Sequence, residues 1–417
     1  MNMIKNTHKE RMLMYGAILA PSLIVSSGKA ITPALPSMMK SFPNVPITMF
    51  DMISTVQQLS ALITLFLSIW IARKISMKKT IGIGIFITAV CGIMPAFSHS
   101  FMFILLSRFA WGIGLGLLNS LAIDAINIFF RHRENLRIRM SGYRTAMEPL
   151  GQCVLDILMG LLVMINWQVS FLAYGLIFII LIYFWKCFPS TNNEAIKRNH
   201  KTPSISILLP TRYIVRMVNV VLGLFVLMIF IVMANASVFV EVPNLMHYLH
   251  LGTPGTAGVI IGLNTIFAFF ANASFGRIFS YLHRYTIVMG IIMITLGTFV
   301  ESISANVWML TLGAILSGMA FPMFGTYSYA LVGKVIPVRY ETAAIAFLIT
   351  GSNIGSFLVP IGIHYFGIFL NPTTSLVGII RHAFLVMSII SLILVITMTA
   401  YQAYVKVVHN RVPRMGN

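Results

Sequence analysis

The sequence predicts an all-α integral membrane protein of about twelve transmembrane helices. Three observations carry that prediction. Hydrophobic residues make up 58% of the 417 positions and charged residues only 9%, against about 45–50% and about 25% in soluble domains. The apolar residues are gathered into long runs broken by polar clusters, and a helix needs about 20 mostly apolar residues to cross a hydrocarbon layer of about 30 Å. The basic residues are placed asymmetrically: with the N-terminus taken as cytoplasmic, all but four of the 29 lysines and arginines fall on inner loops, tails or helix ends, the exceptions being Lys29, Lys40, Arg108 and Arg381. The formal charge of +19 therefore reads as the positive-inside rule, with both termini cytoplasmic, and not as a nucleic-acid footprint.

The runs fall at roughly 12–35, 50–72, 80–98, 101–130, 142–166, 168–186, 213–240, 255–281, 286–303, 306–332, 342–369 and 376–403, with ends uncertain by a few residues. The first is too long, and lacks a small-residue cleavage site, to be a removable signal, so it reads as a retained helix. The fifth and sixth are split at Asn166-Trp167, an amide and an aromatic suited to a membrane interface. Cys91, Cys153 and Cys187 show no CxxC or zinc-type spacing and read as reduced, packed thiols.

Hydrophobicity lapses after Pro189 and resumes near Thr211, across the polar stretch STNNEAIKRNHKTPS. The expected organisation is an N-terminal six-helix half over 1–187, a cytoplasmic linker over 188–211 and a C-terminal half over 212–417. An offset of about 204 to 208 residues aligns the two halves. ALPSMMKSF from Ala34 faces EVPNLMHYL from Glu241, SIWIARKISMKK from Ser68 faces GRIFSYLHRY from Gly276, and Gly151 faces Gly355. Three matches in one order at nearly one offset argue for tandem repeats about a shared interface.

Three motifs carry a family resemblance. SIWIARKISMKK, Ser68 to Lys79, stands where a GxLADRxGRK loop would stand between the second and third helices, though without its glycines and aspartate. LLSRFAWGIGLG, Leu105 to Gly116, gives an arginine followed by spaced glycines on the fourth helix. The fifth helix keeps Gly142, Gly151 and Gly160 in the frame of an antiporter signature whose Gly-Pro pair is here Leu155-Asp156. With Trp167-Gln-Val-Ser-Phe171 opening the sixth helix, the chain resembles the major facilitator superfamily. The resemblance implies two six-helix repeats around a central cavity and transport by alternating access.

It also implies a cytoplasmic gate at Arg73, Lys78 and Lys79 with Asp124 as their acidic partner, and Gly276 in the equivalent loop of the second half. These cations also fit a purely topogenic role. For Arg108 the resemblance implies proton coupling or substrate contact. It lies about 10 Å inside the outer end of its helix, where charge is unfavourable enough that it should face the protein interior; snorkelling or bracing of neighbouring helices stays open. Gly112, Gly114 and Gly116, with the fifth-helix glycines, read as close-packing positions.

Only ten residues are acidic, so each one inside a run needs a reason. Arg144, Glu148, Gln152 and Asp156 recur every four residues and form one slanting polar stripe on the fifth helix. Asp156 and Glu148 are the candidate proton-coupling carboxylates, with Arg144 able instead to neutralise Glu148. Lys29, about 25 Å along its helix, reads as an outer anchor or cavity residue. Glu241 and Glu301 lie near outer ends and are expected to be solvated. Among the amides and phenols at membrane depth, Asn119, Asn235 and Tyr327 are the substrate-cavity candidates, with interhelical hydrogen bonding the plainer alternative.

The expected function is proton-driven efflux of hydrophobic or amphiphilic compounds, in the manner of the superfamily's multidrug antiporters. Import or exchange of a small metabolite is the alternative, and a non-transporting receptor a remote one. No HExxH, GxSxG or GxxxxGK[ST] occurs, so neither an enzyme nor an ATP-driven pump is expected. The implied partners are a small-molecule substrate, protons and the lipid bilayer of the cell membrane. No metal, cofactor, nucleic acid or obligate protein partner is called for.

Overall fold

A computed structural model describes residues 8–130, 133–189, 211–371 and 375–411; the greater part of the expected linker, 190–210, lies outside the described residues. All regular elements among the described residues are helical. Eight stretches are long and apolar enough to cross a membrane, or ten if each of two bent pairs is one span. One of the eight, Pro254–Ser302, has 49 residues, or about 74 Å of helix at 1.5 Å per residue, and is folded back at the 3₁₀ turn His283–Tyr285. It is two crossings. Counting also the 29-residue helix Ile47–Ile75 gives twelve.

The twelve are numbered in chain order. α1 is broken into His8–Leu19, Ser22–Val25, the 3₁₀ segment Ser27–Ala34 and Leu35–Ser41, with a 40° bend. Pro21, Pro33 and Pro36 remove helical donors along it, and Gly28 sits against the Gln57 side chain. α2 is Ile47–Ile75, α3 is Met77–Phe97 including its terminal 3₁₀ turn, α4 is Phe101–Phe129, α5 is Glu134–Val163 and α6 is Trp167–Cys187. In the second half α7 is Thr211–Tyr248, α8 Pro254–Leu282, α9 Thr286–Ser302 and α10 Val307–Val335. α11 comprises Val338–Phe357 and Val359–Leu370, bent by 58° where Pro360 follows the break, and α12 is Leu376–Arg411.

Short capped connections reverse the chain. Asn166 accepts from the Gln168 amide (3.2 Å), so the residue that divides the fifth and sixth runs is an N-cap. Thr253 and Thr256 form a reciprocal capping box at α8 (2.9 and 3.3 Å), and Asn306 caps α10 through the Met309 amide (2.9 Å). Trp70, Phe86, Leu106, Ile179, Val226 and Ile396 are exposed, as expected where lipid is the solvent.

The repeat is visible in the glycines. Gly151 on α5 lies on the Leu23 carbonyl of α1, and Gly355 on α11 lies on the Ile229 carbonyl of α7. Gly112 on α4 rests on Gln57 of α2, while Gly318 on α10 rests on Asn264 of α8. Gly84 on α3 meets the Gly114 carbonyl, and Gly290 on α9 meets the Ala320 carbonyl. Each pair is separated by about 204 to 207 residues, the offset that aligns the sequence. At these positions a side chain would occupy the space of a neighbouring backbone, so the residue type is set by helix approach.

Candidate functional site

The two halves meet along α5 and α8. Gly160 and Gly258 bring these helices together, a Cβ on Gly160 falling 2.9 Å from the Gly258 Cα. One turn before Gly160, Asp156 points into that contact and is fully buried. Its Oδ2 accepts a hydrogen bond from Thr265 of α8 (3.2 Å), whose hydroxyl also lies 3.0 Å from the Ile261 carbonyl. Oδ1 has no hydrogen-bond partner. Gln152 is buried one turn earlier with its Nε2 unpartnered, near enough to act on the carboxylate. Lys29, half-buried in the 3₁₀ segment of α1, stands 5.1 Å from the Phe239 ring of α7, and its ammonium attracts Asp156 without a direct ion pair. A carboxylate of the first half, within electrostatic reach of a lysine of the same half, thus meets a neutral hydroxyl from the second.

The lower part of the α5 stripe is a separate group. Arg144 pairs with Glu148 (2.9 Å) and donates to the Asn119 side-chain oxygen of α4 (2.8 Å). Glu148 is therefore neutralised one turn away, and Asn119 is occupied by Arg144.

Arg108 is enclosed inside the first half. It is fully buried, with its guanidinium carbon 4.8 Å from the Phe171 ring and 4.7 Å from the Tyr174 ring of α6, and none of its nitrogens has a hydrogen-bond partner. Cation–π contact on two aromatic faces takes the place of an ion pair. Tyr174 donates to the Ser27 carbonyl (3.0 Å) and feels the charges of both Arg108 and Asp156. Among the described residues, Arg108 and Asp156 form no ion pair.

Asn235 donates to the Ser317 carbonyl of α10 (2.7 Å) and so serves as interhelical glue, not as an open cavity amide. Tyr327 is half-buried, its ring 6.1 Å from Phe279, which stacks 5.8 Å from Phe275. Of the expected gate, Asp124 is buried at the inner end of α4, Lys78 donates to the Phe188 carbonyl (2.7 Å) and Lys79 is exposed. The side chain of Arg73 lies outside the described residues. Gly112, Gly114, Gly116, Gly151 and Gly160 all make close helix contacts, whereas Gly142 and Gly276 have no atom within 4 Å of a would-be Cβ. Gly142 is thus not a packing glycine. Both Gly142 and Gly276 lie toward the basic end of the bundle.

The opposite end is closed, and here the sequence-based expectation needs correcting. Glu241 is 1% exposed and Glu301 fully buried, so neither is solvated. Glu301 accepts from Ser317 (3.2 Å). Glu241 of α7 and Asp51 of α2 are bridged by Asn244, whose Nδ2 donates to Glu241 Oε2 (3.1 Å) and to Asp51 Oδ1 (3.4 Å). Asp51 and Thr265 are the residues that sequence reasoning missed. Asp51 stands near the start of its run, where a carboxylate reads as wet, but Glu241 and Asn244 at i and i+3 share one helix face, a usable signal.

Among the described residues, no group of three or more His, Cys, Asp or Glu is placed to hold a metal ion. Comparison with known proteins gives the fold a context. The chain is 14% identical to the crystal structure of a mutant of the nucleoside transporter NupG, with a TM-score of 0.72 over 94% of this chain and 99% of that one. It is 14% identical to the D-xylose-proton symporter, with a TM-score of 0.70 over 94% and 97%. At that identity the likeness is one of fold. Protein TsgA homolog of Buchnera aphidicola subsp. Baizongia pistaciae (strain Bp) is 28% identical over 171 residues, 40% of this chain, so the match spans about 43% of that relative's length. The family model of the Major Facilitator Superfamily matches residues 18–299 and again 224–414. With twelve helices, a repeated frame and a match over nearly the whole chain, this multi-pass membrane protein belongs to the Major Facilitator Superfamily of transporters.

Proposed function

We propose that the chain is a proton-coupled secondary transporter in which Asp156 is the coupling carboxylate. The carrying observation is its placement: fully buried on α5 at the contact with α8, held by Thr265 of the other half, with one oxygen unpartnered and Lys29 within electrostatic reach. A charged carboxylate there needs the lysine, the hydroxyl or a proton; Lys29 shares its half, while Thr265 lies on the other half and parts from it when the halves move. Proton occupancy and conformation are thereby linked. The proton gradient is the energy source. Both termini face the cytoplasm of a cell membrane, so the basic end faces inward and the end joined through Asp51, Asn244 and Glu241 faces outward.

The substrate class proposed is hydrophobic or amphiphilic organic compounds, moved outward. Phe275, Phe279 and Tyr327 form an aromatic cluster toward the basic end, with Lys334 5.0 Å over the Phe279 ring, and such rings offer adaptable apolar surface. A second reading, uptake of a polar metabolite, is favoured by the fold neighbours, which are a nucleoside transporter and a sugar–proton symporter.

The test is purified protein in liposomes under an imposed pH gradient, screened for dye efflux and for nucleoside and sugar uptake. Asp156→Asn is expected to abolish gradient-driven flux while substrate binding and expression remain. Normal gradient-driven flux in that variant would remove Asp156 from the mechanism, and movement of every compound independent of the gradient would remove proton coupling.

A further inference from the structure

At the closed end, Asp51 and Glu241 come from opposite halves of the molecule, 3% and 1% exposed. The one side chain between them, Asn244, is fully buried and spends both hydrogens of its amide nitrogen on them. That leaves Glu241 Oε1 and Asn244 Oδ1 buried without a hydrogen-bond partner. Two negative charges in a buried site with one neutral donor repel each other, and among the described residues no cation forms an ion pair with them.

The surrounding charged and titratable groups bear this out. On α1, Lys29 is turned to Phe239 and Asp156, and Lys40 lies at the exposed side of the terminal segment. On α7, His247 is near Lys40, and Tyr248 donates to the Met39 sulfur (3.5 Å). On α11, His364 and Tyr365 are exposed, and on α12 Arg381 donates to the Ser304 carbonyl beside His382. Among the described residues, none of these forms an ion pair with Asp51 or Glu241. Two buried oxygens with lone pairs facing a carboxylate pair are the arrangement a shared proton satisfies.

We propose that Asp51 and Glu241 form a proton-operated lock, closed when the pair holds at least one proton and opened when both carboxylates are ionised. The proton comes from water at this end when the halves are apart. It resides on one carboxyl, whose O–H then donates to a free oxygen of the cluster as the halves close. On opening, it returns to water. Because the closed state binds more protons than the open one, acid favours closure. The lock is distinct from Asp156, which lies at the α5–α8 contact, so the molecule carries two proton sites with different duties: one sets which end is open, the other couples to substrate.

The lock is read with spin labels on Asn44→Cys and Ala305→Cys, one on each half in exposed loops at this end, with the native cysteines replaced and the protein in lipid nanodiscs. In otherwise wild-type protein the ratio of long-distance to short-distance populations should rise with pH, by up to about tenfold per pH unit for one linked proton. In Asp51→Asn/Glu241→Gln the short distance should persist at every pH, because neutral isosteres make closure independent of a proton. Glu241→Gln alone should behave similarly and serves if the double variant does not fold. In Asp156→Asn the ratio should still rise with pH, less steeply by whatever share Asp156 itself contributes, which separates this lock from the coupling carboxylate. A pH response surviving in the double variant, its loss in Asp156→Asn, or a flat wild-type response would each overturn the proposal. So would a distance change that follows sodium, replaced by N-methylglucamine at fixed pH, in place of following protons.

Discussion

The two halves of the molecule share a frame and differ in what they place upon it. At each close approach the first half has a counterpart in the second: Gly151 on Leu23 and Gly355 on Ile229, Gly112 on Gln57 and Gly318 on Asn264. The charges at membrane depth do not repeat. At the offset of about 206 residues, Lys29 becomes Asn235 and Arg108 becomes Ala314. Where the first half has a lysine aimed at Asp156, the second has an amide bonded to the Ser317 carbonyl. Backbone contact is thus what duplication preserved, and chemistry is what diverged, one half bringing Lys29 and Asp156 and the other the neutral Thr265 that donates to the carboxylate.

That contrast can be broken or sharpened by substitution. The largest effect belongs to the paired glycines: Gly151→Leu and Gly355→Leu should each destabilise the protein by about 3 kcal/mol or more, since the added side chain overlaps a carbonyl. Thermal unfolding in detergent measures this, with Gly142→Leu, in open space, as the unaffected control. A strong effect in only one half would break the symmetry of the frame. Next comes Arg108→Lys, which replaces a planar guanidinium between two rings with a compact ammonium and should lower stability by about 1–2 kcal/mol. If unfolding were unchanged, aromatic stacking would not be what accommodates the charge. The smallest is Asn235→Ala, expected to cost about 0.6 kcal/mol, typical of an interhelical hydrogen bond in a membrane. A loss of flux greater than the loss of stability explains would return Asn235 to the cavity.

Helix number, the offset of the repeat and the α5 stripe were legible in the sequence because each depends on local period and composition. Asp156 stood out because a carboxylate inside an apolar run is conspicuous whatever surrounds it. Glu241, Glu301 and Asp51 were not legible, because near the end of a run burial depends on which loop or helix closes over the residue. Thr265 gave no signal: a threonine bonding its own i−4 carbonyl is ordinary in a membrane helix. The enclosure of Arg108 likewise depends on Phe171 and Tyr174, which only the fold brings against its guanidinium.

The glycine contact between α5 and α8 has a mechanical meaning. Gly160 and Gly258 meet backbone to backbone toward the sealed end, flanked by Met164 on Gly255 and Ile157 on Gly262, and a close contact at that point would serve as a fulcrum. From Gly160 to Gly142 the helix runs about 27 Å. A tilt of about 10° around that point would displace the far end by about 5 Å, of the order of one helical turn. Leverage of this kind turns a small rearrangement around Asp156 into a wide aperture at the basic end, and a bulky residue at either glycine would jam it.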